Sequence, residues 1–110
     1  KHLPGFVEKA AELRSKGVGE IVCIAVNDVF VMNAWGKSSS VGDAVVMAAD
    51  GNGDYTHALG LELDARGFGM GLRGQRFALV IEDGVVQQVH VEAPGEFKVS
   101  SAEHILAALP

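Results

Sequence analysis

Cys23 is the only cysteine in 110 residues, and it sits in the apolar run Ile21-Val22-Cys23-Ile24-Ala25-Val26, which ends on Asn27-Asp28. A lone thiol cannot form an internal disulfide. It is either packing or one half of a redox pair whose partner lies elsewhere. Apolar surroundings raise a thiol's pKa and suppress the nucleophilic thiolate, so the residues by themselves favour packing. Arg76 stands immediately before a second apolar run, Phe77-Ala78-Leu79-Val80. An arginine there is either solvated or set at a sheet edge where active sites form.

Other motifs carry less. Asp50-Gly51-Asn52-Gly53-Asp54 opens like a calcium loop but has Tyr55 where the loop needs glycine and Leu61 where it needs a carboxylate. Turn plus helix cap is the better account. Gly69-Met70-Gly71-Leu72-Arg73-Gly74 matches the dinucleotide fingerprint letter for letter. That fingerprint must open a helix, whereas a strand is expected after this one, so residues 67–74 are read as a flexible loop. His2, His57, His90 and His104 show no metal-ligand spacing with one another or with Cys23. No bound metal or cofactor is expected.

The elements that would position Cys23 and Arg76 follow from periodicity. Residues 3–14 form an amphipathic helix with Phe6, Ala10 and Leu13 on one stripe and Gly17 placed to stop it. Residues 21–26 read as a strand buried on both faces. Asp28 caps a helix through Phe30, Val31, Ala34 and Trp35 that ends near Gly36, and Ser38-Ser39-Ser40 is a surface loop. Residues 44–48 make a second buried strand, and Asp54 caps a short helix through Leu59. Two strands, 76–81 and 85–92, join through Asp83-Gly84, a type I′ hairpin signal. A last helix spans 101–109, with Ser100 and Glu103 at capping-box spacing and Ile105, Leu106 and Leu109 on its buried stripe. The order α-β-α-β-α-β-β-α describes an α/β fold, a mixed β-sheet flanked by helices.

The length fits one small domain, and 48% hydrophobic with 21% charged residues is ordinary globular usage. A net charge of -5 argues against nucleic acid or an anionic membrane as partner. No run approaches the ~18 apolar residues of a spanning helix, and no signal peptide opens the chain. One cysteine implies an intracellular reducing compartment. The topology also implies a strand before the first helix. Without it, core backbone groups go unpaired at roughly 1–3 kcal/mol each, against a stability of about 5–15 kcal/mol. The 110 residues are therefore read as the C-terminal part of a larger domain, or as a domain completed by a segment outside this sequence.

Lys1-His2-Leu3-Pro4-Gly5-Phe6, residues 21–32, Ala49-Asp50-Gly51-Asn52-Gly53, residues 76–80 and Ser100-Ser101-Ala102-Glu103 together resemble a type II (peroxiredoxin-5-like) peroxiredoxin. The similarity covers essentially the whole chain. It implies a thioredoxin-like fold whose N-terminal strands are missing here, residues 1–110 being the C-terminal two-thirds of one redoxin domain. It implies a peroxidase acting on hydrogen peroxide and organic hydroperoxides in antioxidant defence, without a cofactor, returned to its reduced state by glutaredoxin or thioredoxin. The family's peroxidatic cysteine lies in a P-x-x-x-T-x-x-C segment that would precede Lys1. Arg76 matches its active-site arginine. Cys23 matches the resolving cysteine of plant-type members, while in other members a cysteine here is only a buried strand residue. A homodimer is also implied, with Phe68 and Met70 as apolar contacts. The 110 residues alone are expected to be inactive. The alternative is an inactive redoxin-like fragment or binding module in which Cys23 is structural.

Overall fold

The computed structural model describes residues 2–110. In chain order the elements are α1 (His2–Glu8), α2 (Ala10–Ser15), β1 (Val22–Ala25), α3 (Val29–Ser38), β2 (Val46–Ala49), α4 (Asp54–Ala58), β3 (Glu62–Asp64), β4 (Leu72–Gly74), β5 (Phe77–Glu82), β6 (Val85–Val91) and α5 (Ala102–Ala108). A single 3₁₀ turn, Arg66–Phe68, separates β3 from β4. The residues cluster into two compact units, 2–18 with 76–110, and 19–75. Among the described residues the strands pair as three separate two-stranded sheets, one parallel and two antiparallel, rather than as one mixed sheet.

In the first unit, α1 and α2 run on through Lys9, whose amide donates to the Gly5 carbonyl and whose carbonyl accepts from Leu13, both at 3.0 Å. Ala10 and Leu13 are buried as their spacing implies, but Phe6 of the same expected stripe is only half-buried and Leu3 is buried in its place. Gly17, at φ +98°, ends the helix as its sequence position implies. β5 and β6 pair antiparallel from Phe77↔Val91 to Glu82↔Val85. Asp83 and Gly84 both take positive φ, 53° and 75°, which is the type I′ turn. α5 packs on α1 and buries Ala102 and Ile105. Its cap is Ser101, whose hydroxyl accepts from the His104 amide at 3.1 Å, and not Ser100 as the capping-box spacing suggested. Ser100 is fully buried and engaged with Glu92.

In the second unit, β1 and β2 run parallel with Cys23 opposite Met47. Parallel strands need a crossover, and α3 supplies it. Asp28 caps α3 as expected, accepting from the Val31 amide at 2.8 Å. The helix does not end at Gly36, however, but runs through it to Ser38. Gly36 is buried because α3 lies so close to β2 that a Cβ there would stand 2.9 Å from Met47 Cγ. The two strands are not buried on both faces: Val22 is 53% and Val46 48% exposed, since two short strands cannot cover each other's faces.

The expected Asp54 cap is also displaced. Gly53 holds the N-cap position in the left-handed region, and Asp54 is the first helical residue. Asp50, from the preceding turn, satisfies the α4 N-terminus instead, taking the amides of Tyr55 (3.1 Å) and Thr56 (2.8 Å) and the Thr56 hydroxyl (2.7 Å). Residues 67–74 are not simply a flexible loop, because β3 and β4 form a short hairpin around the 3₁₀ turn. Three-residue strands leave almost no alternation to read, and the glycines hide the second one.

The close approach at Gly36 gives a direct test. Gly36→Val should destabilise the chain by about 1–3 kcal/mol through overpacking against Met47 and Val41. Chemical denaturation measures it; an unchanged midpoint would mean that the α3–β2 contact is not tight.

Candidate functional site

Arg76 is fixed at the open end of the β5–β6 hairpin. Its carbonyl accepts the Glu92 amide at 3.0 Å, continuing the ladder one step beyond the Phe77↔Val91 pair. The half-buried guanidinium donates from Nη1 to the Glu96 carbonyl at 3.1 Å and lies 5.6 Å from the centre of the Phe97 ring. Such a cation–ring contact is worth about 0.5–1 kcal/mol when partly exposed. Both partners belong to the segment between β6 and α5, so the order of that segment decides where the arginine points.

Glu92 orders it. The residue is buried, and its Oε2 accepts from the Lys98 amide (2.7 Å), the Ser100 amide (2.8 Å) and the Ser100 hydroxyl (2.6 Å). Burial pushes the carboxyl pKa up. The Ser100 hydroxyl and the amides of Lys98, Ser100 and Val99 pull it down further, to about 2. The carboxylate is therefore ionised, and the backbone folds around it.

His2 joins the same group. Its Nε2 lies 2.5 Å from Ser100 Oγ, and its ring centre lies 5.1 Å from that of Phe97 at 54°. Phe6 meets it edge-on at 6.3 Å. Burial, then the charges of Arg76 and the N-terminal ammonium, lower the His2 pKa to about 4, against a smaller opposing effect of Glu92. Sequence reading gave His2, Glu92 and Ser100 no role in a site. His2 and Ser100 are 98 positions apart, and no spacing rule connects them.

Cys23 lies in the other unit, free and half-buried in β1. Burial raises its thiol pKa. The carboxyl end of β1 is held by Arg73, which donates from Nη1 to the Val26 carbonyl (2.9 Å) and Asn27 Oδ1 (3.0 Å), and from Nε to the Met70 carbonyl (2.7 Å). In the sequence Arg73 stands out only as part of a glycine-rich run. His57 is exposed and pairs with Glu62 at 2.7 Å, while His90 and His104 meet edge to face at 5.2 Å. Among the described residues no group of three or more His, Cys, Asp or Glu side chains could hold a metal ion. Phe68 and Met70 are 84% and 49% exposed.

These shifts fix the sign of the acid response. Glu92 ionises near 2 in the folded chain against an ordinary 4.5, so its contribution is present above 4.5 and lost as pH falls toward 2. His2 holds a proton only below about 4 when folded, against 6.5 unfolded, so stability also drops as pH falls from 6.5 to 4. The thermal midpoint should fall throughout this range, and Glu92→Gln should flatten the limb below 4.5. A variant that keeps the whole limb would show that Glu92 does not carry it.

Comparison with known proteins spans the whole of this arrangement. The Redoxin family profile matches residues 1–106. Peroxiredoxin-2B of Arabidopsis thaliana is 58% identical over 109 residues, covering 99% of this chain and 67% of that protein. Among solved structures, the reduced Prx3 of Vibrio vulnificus in complex with hydrogen peroxide superposes with a TM-score of 0.94 at 52% identity, over 99% of this chain and 69% of that one. Peroxiredoxin 5 of Alvinella pompejana gives 0.88 at 34% identity, over 99% and 68%. The chain thus spans about two-thirds of the length of the relatives it matches. Matches that run from one end of the chain to the other, in sequence and in backbone, make it a member of the redoxin family, a type II peroxiredoxin homologue carrying part of the thioredoxin-like α/β fold.

Proposed function

We propose that residues 1–110 are the C-terminal two-thirds of a single domain that works as a thiol-dependent peroxidase on hydrogen peroxide and organic hydroperoxides. The observation that supports this reading best is Arg76, a guanidinium held half-buried by one carbonyl and one ring face at a hairpin end. In the reaction, a peroxidatic thiolate from a segment preceding Lys1 attacks one peroxide oxygen. The O–O bond breaks, the electron pair leaves with the second oxygen, and that oxygen is protonated to water or an alcohol. The sulfur is oxidised to a sulfenic acid. Arg76 favours the attacking thiolate by charge and donates hydrogen bonds to the peroxide oxygens as charge develops on them.

In the resolving step Cys23, as thiolate, attacks the sulfenic sulfur. A disulfide forms, and the displaced hydroxide leaves as water. Glutaredoxin or thioredoxin then reduces the disulfide by thiol exchange, in a reducing compartment. Exposed Phe68 and Met70 suit a homodimer contact. One observation supports a second reading of Cys23 alone. Half-burial and a raised pKa are what a structural thiol shows.

Joined to a cysteine-bearing upstream segment, the chain should consume peroxide with a dithiol reductant, and Arg76→Ala should lower kcat/KM by about 10²–10³-fold. The 110 residues alone should show no turnover; activity in them would overturn the place given to the peroxidatic cysteine. Separately, Cys23→Ser should stop glutaredoxin- or thioredoxin-linked turnover after a single oxidation. Unchanged linked turnover makes Cys23 packing.

A further inference from the structure

The hydrogen bonds around Ser100 fix a proton. Ser100 is fully buried and its hydroxyl carries one hydrogen, yet Oγ lies within bonding distance of both Glu92 Oε2 (2.6 Å) and His2 Nε2 (2.5 Å). Ionised Glu92 can only accept, so the hydroxyl hydrogen goes to it. Ser100 Oγ must then accept from His2, which places the ring proton on Nε2 and leaves Nδ1 bare. The chain of donors, His2 to Ser100 to Glu92, ends on a carboxylate already held by two further amides of its own loop. A histidine ring tied in this way has a fixed plane as well as a fixed tautomer.

That plane lies against Phe97, and Phe97 is the ring that receives the Arg76 guanidinium. We propose that His2 is a positioning residue for Arg76, locked as the Nε2–H tautomer by Ser100 and Glu92 so that its ring braces Phe97 beneath the guanidinium. The inference deepens the peroxidase reading by naming what holds its arginine, and its catalytic consequence rests on that reading. The bracing itself does not. The charged groups acting on the ring are Arg76, before β5, the N-terminal ammonium, and Glu92, after β6. A neutral ring lets the face carry a positive charge at Arg76 without a second cation beside it. Protonated His2 would repel the arginine.

Nitrogen NMR on this chain tests the brace without any peroxide. His2 should show its proton on Nε2 and titrate near pH 4, and the Arg76 Nε–H resonance should shift through the same midpoint. His2→Ala should raise the mobility of the Arg76 Nε–H group on the fast timescale, while His2→Phe, which keeps a ring on Phe97, should restore much of its order. Ser100→Ala should loosen Arg76 with the histidine still present. A proton on Nδ1, or Arg76 as rigid in His2→Ala as in the parent chain, would overturn the proposal. With the upstream segment attached, His2→Ala should lower peroxide kcat/KM about tenfold at an unchanged fold, partly recovered in His2→Phe. If the parent protein shows no peroxidase activity, the functional reading fails while the NMR result still decides the brace.

Discussion

A buried carboxylate must be answered by donors, and in this chain the answer to Glu92 organises a whole segment. Three of its hydrogen bonds come from Lys98 and Ser100. Their backbone has to curl around one oxygen to supply them. That curl carries Glu96 and Phe97 to Arg76 and delivers Ser100 to His2. An exposed glutamate at the end of β6 would impose none of this. Leaving such a group buried and unanswered is costly, so the donors are not optional.

The second unit repeats the device. Asp50, also buried, takes two amides and a hydroxyl from the first turn of α4. Its pKa is lowered mainly by the Thr56 hydroxyl and amide. In both cases a carboxylate just past a strand accepts from backbone several residues ahead, Asp50 from the first turn of α4 and Glu92 from the segment that leads into α5. The difference lies in what rides on the ordered segment. Behind Asp50 there is a short helix, and behind Glu92 there is a platform for a cation.

This difference explains what could be read from the sequence. Long periodic elements are legible: Ala10 and Leu13 of the first helix's stripe, the Asp28 cap, and the Asp83-Gly84 turn that joins β5 to β6. Each rests on contacts within a few residues. Arg76 could be singled out because it opens an apolar run. The caps of α4 and α5 were misplaced because Asp50 and Ser101 compete with equally good candidates one to four positions away, and burial decides between them. Gly36 read as a helix end because its packing reason, Met47, lies on another element. His2 and Glu92 stayed silent for the same reason, since their meaning depends on Ser100, which reads locally as a cap.

Cys23 poses the opposite problem, because its local reading and its proposed chemistry pull apart. Attack on a sulfenic acid needs the thiolate, and burial in β1 disfavours that form. The strand is also held at both ends, by the Ile21 carbonyl accepting from Val46 and by Arg73 on Val26 and Asn27. A four-residue strand is nonetheless among the cheaper elements to open, and disulfide geometry needs Cα atoms within roughly 7 Å. Resolution by Cys23 therefore requires β1 to loosen, whereas the action proposed for Arg76 requires the opposite. If both proposed roles hold, the segment around Arg76 stays ordered through the peroxide step and β1 yields in the next.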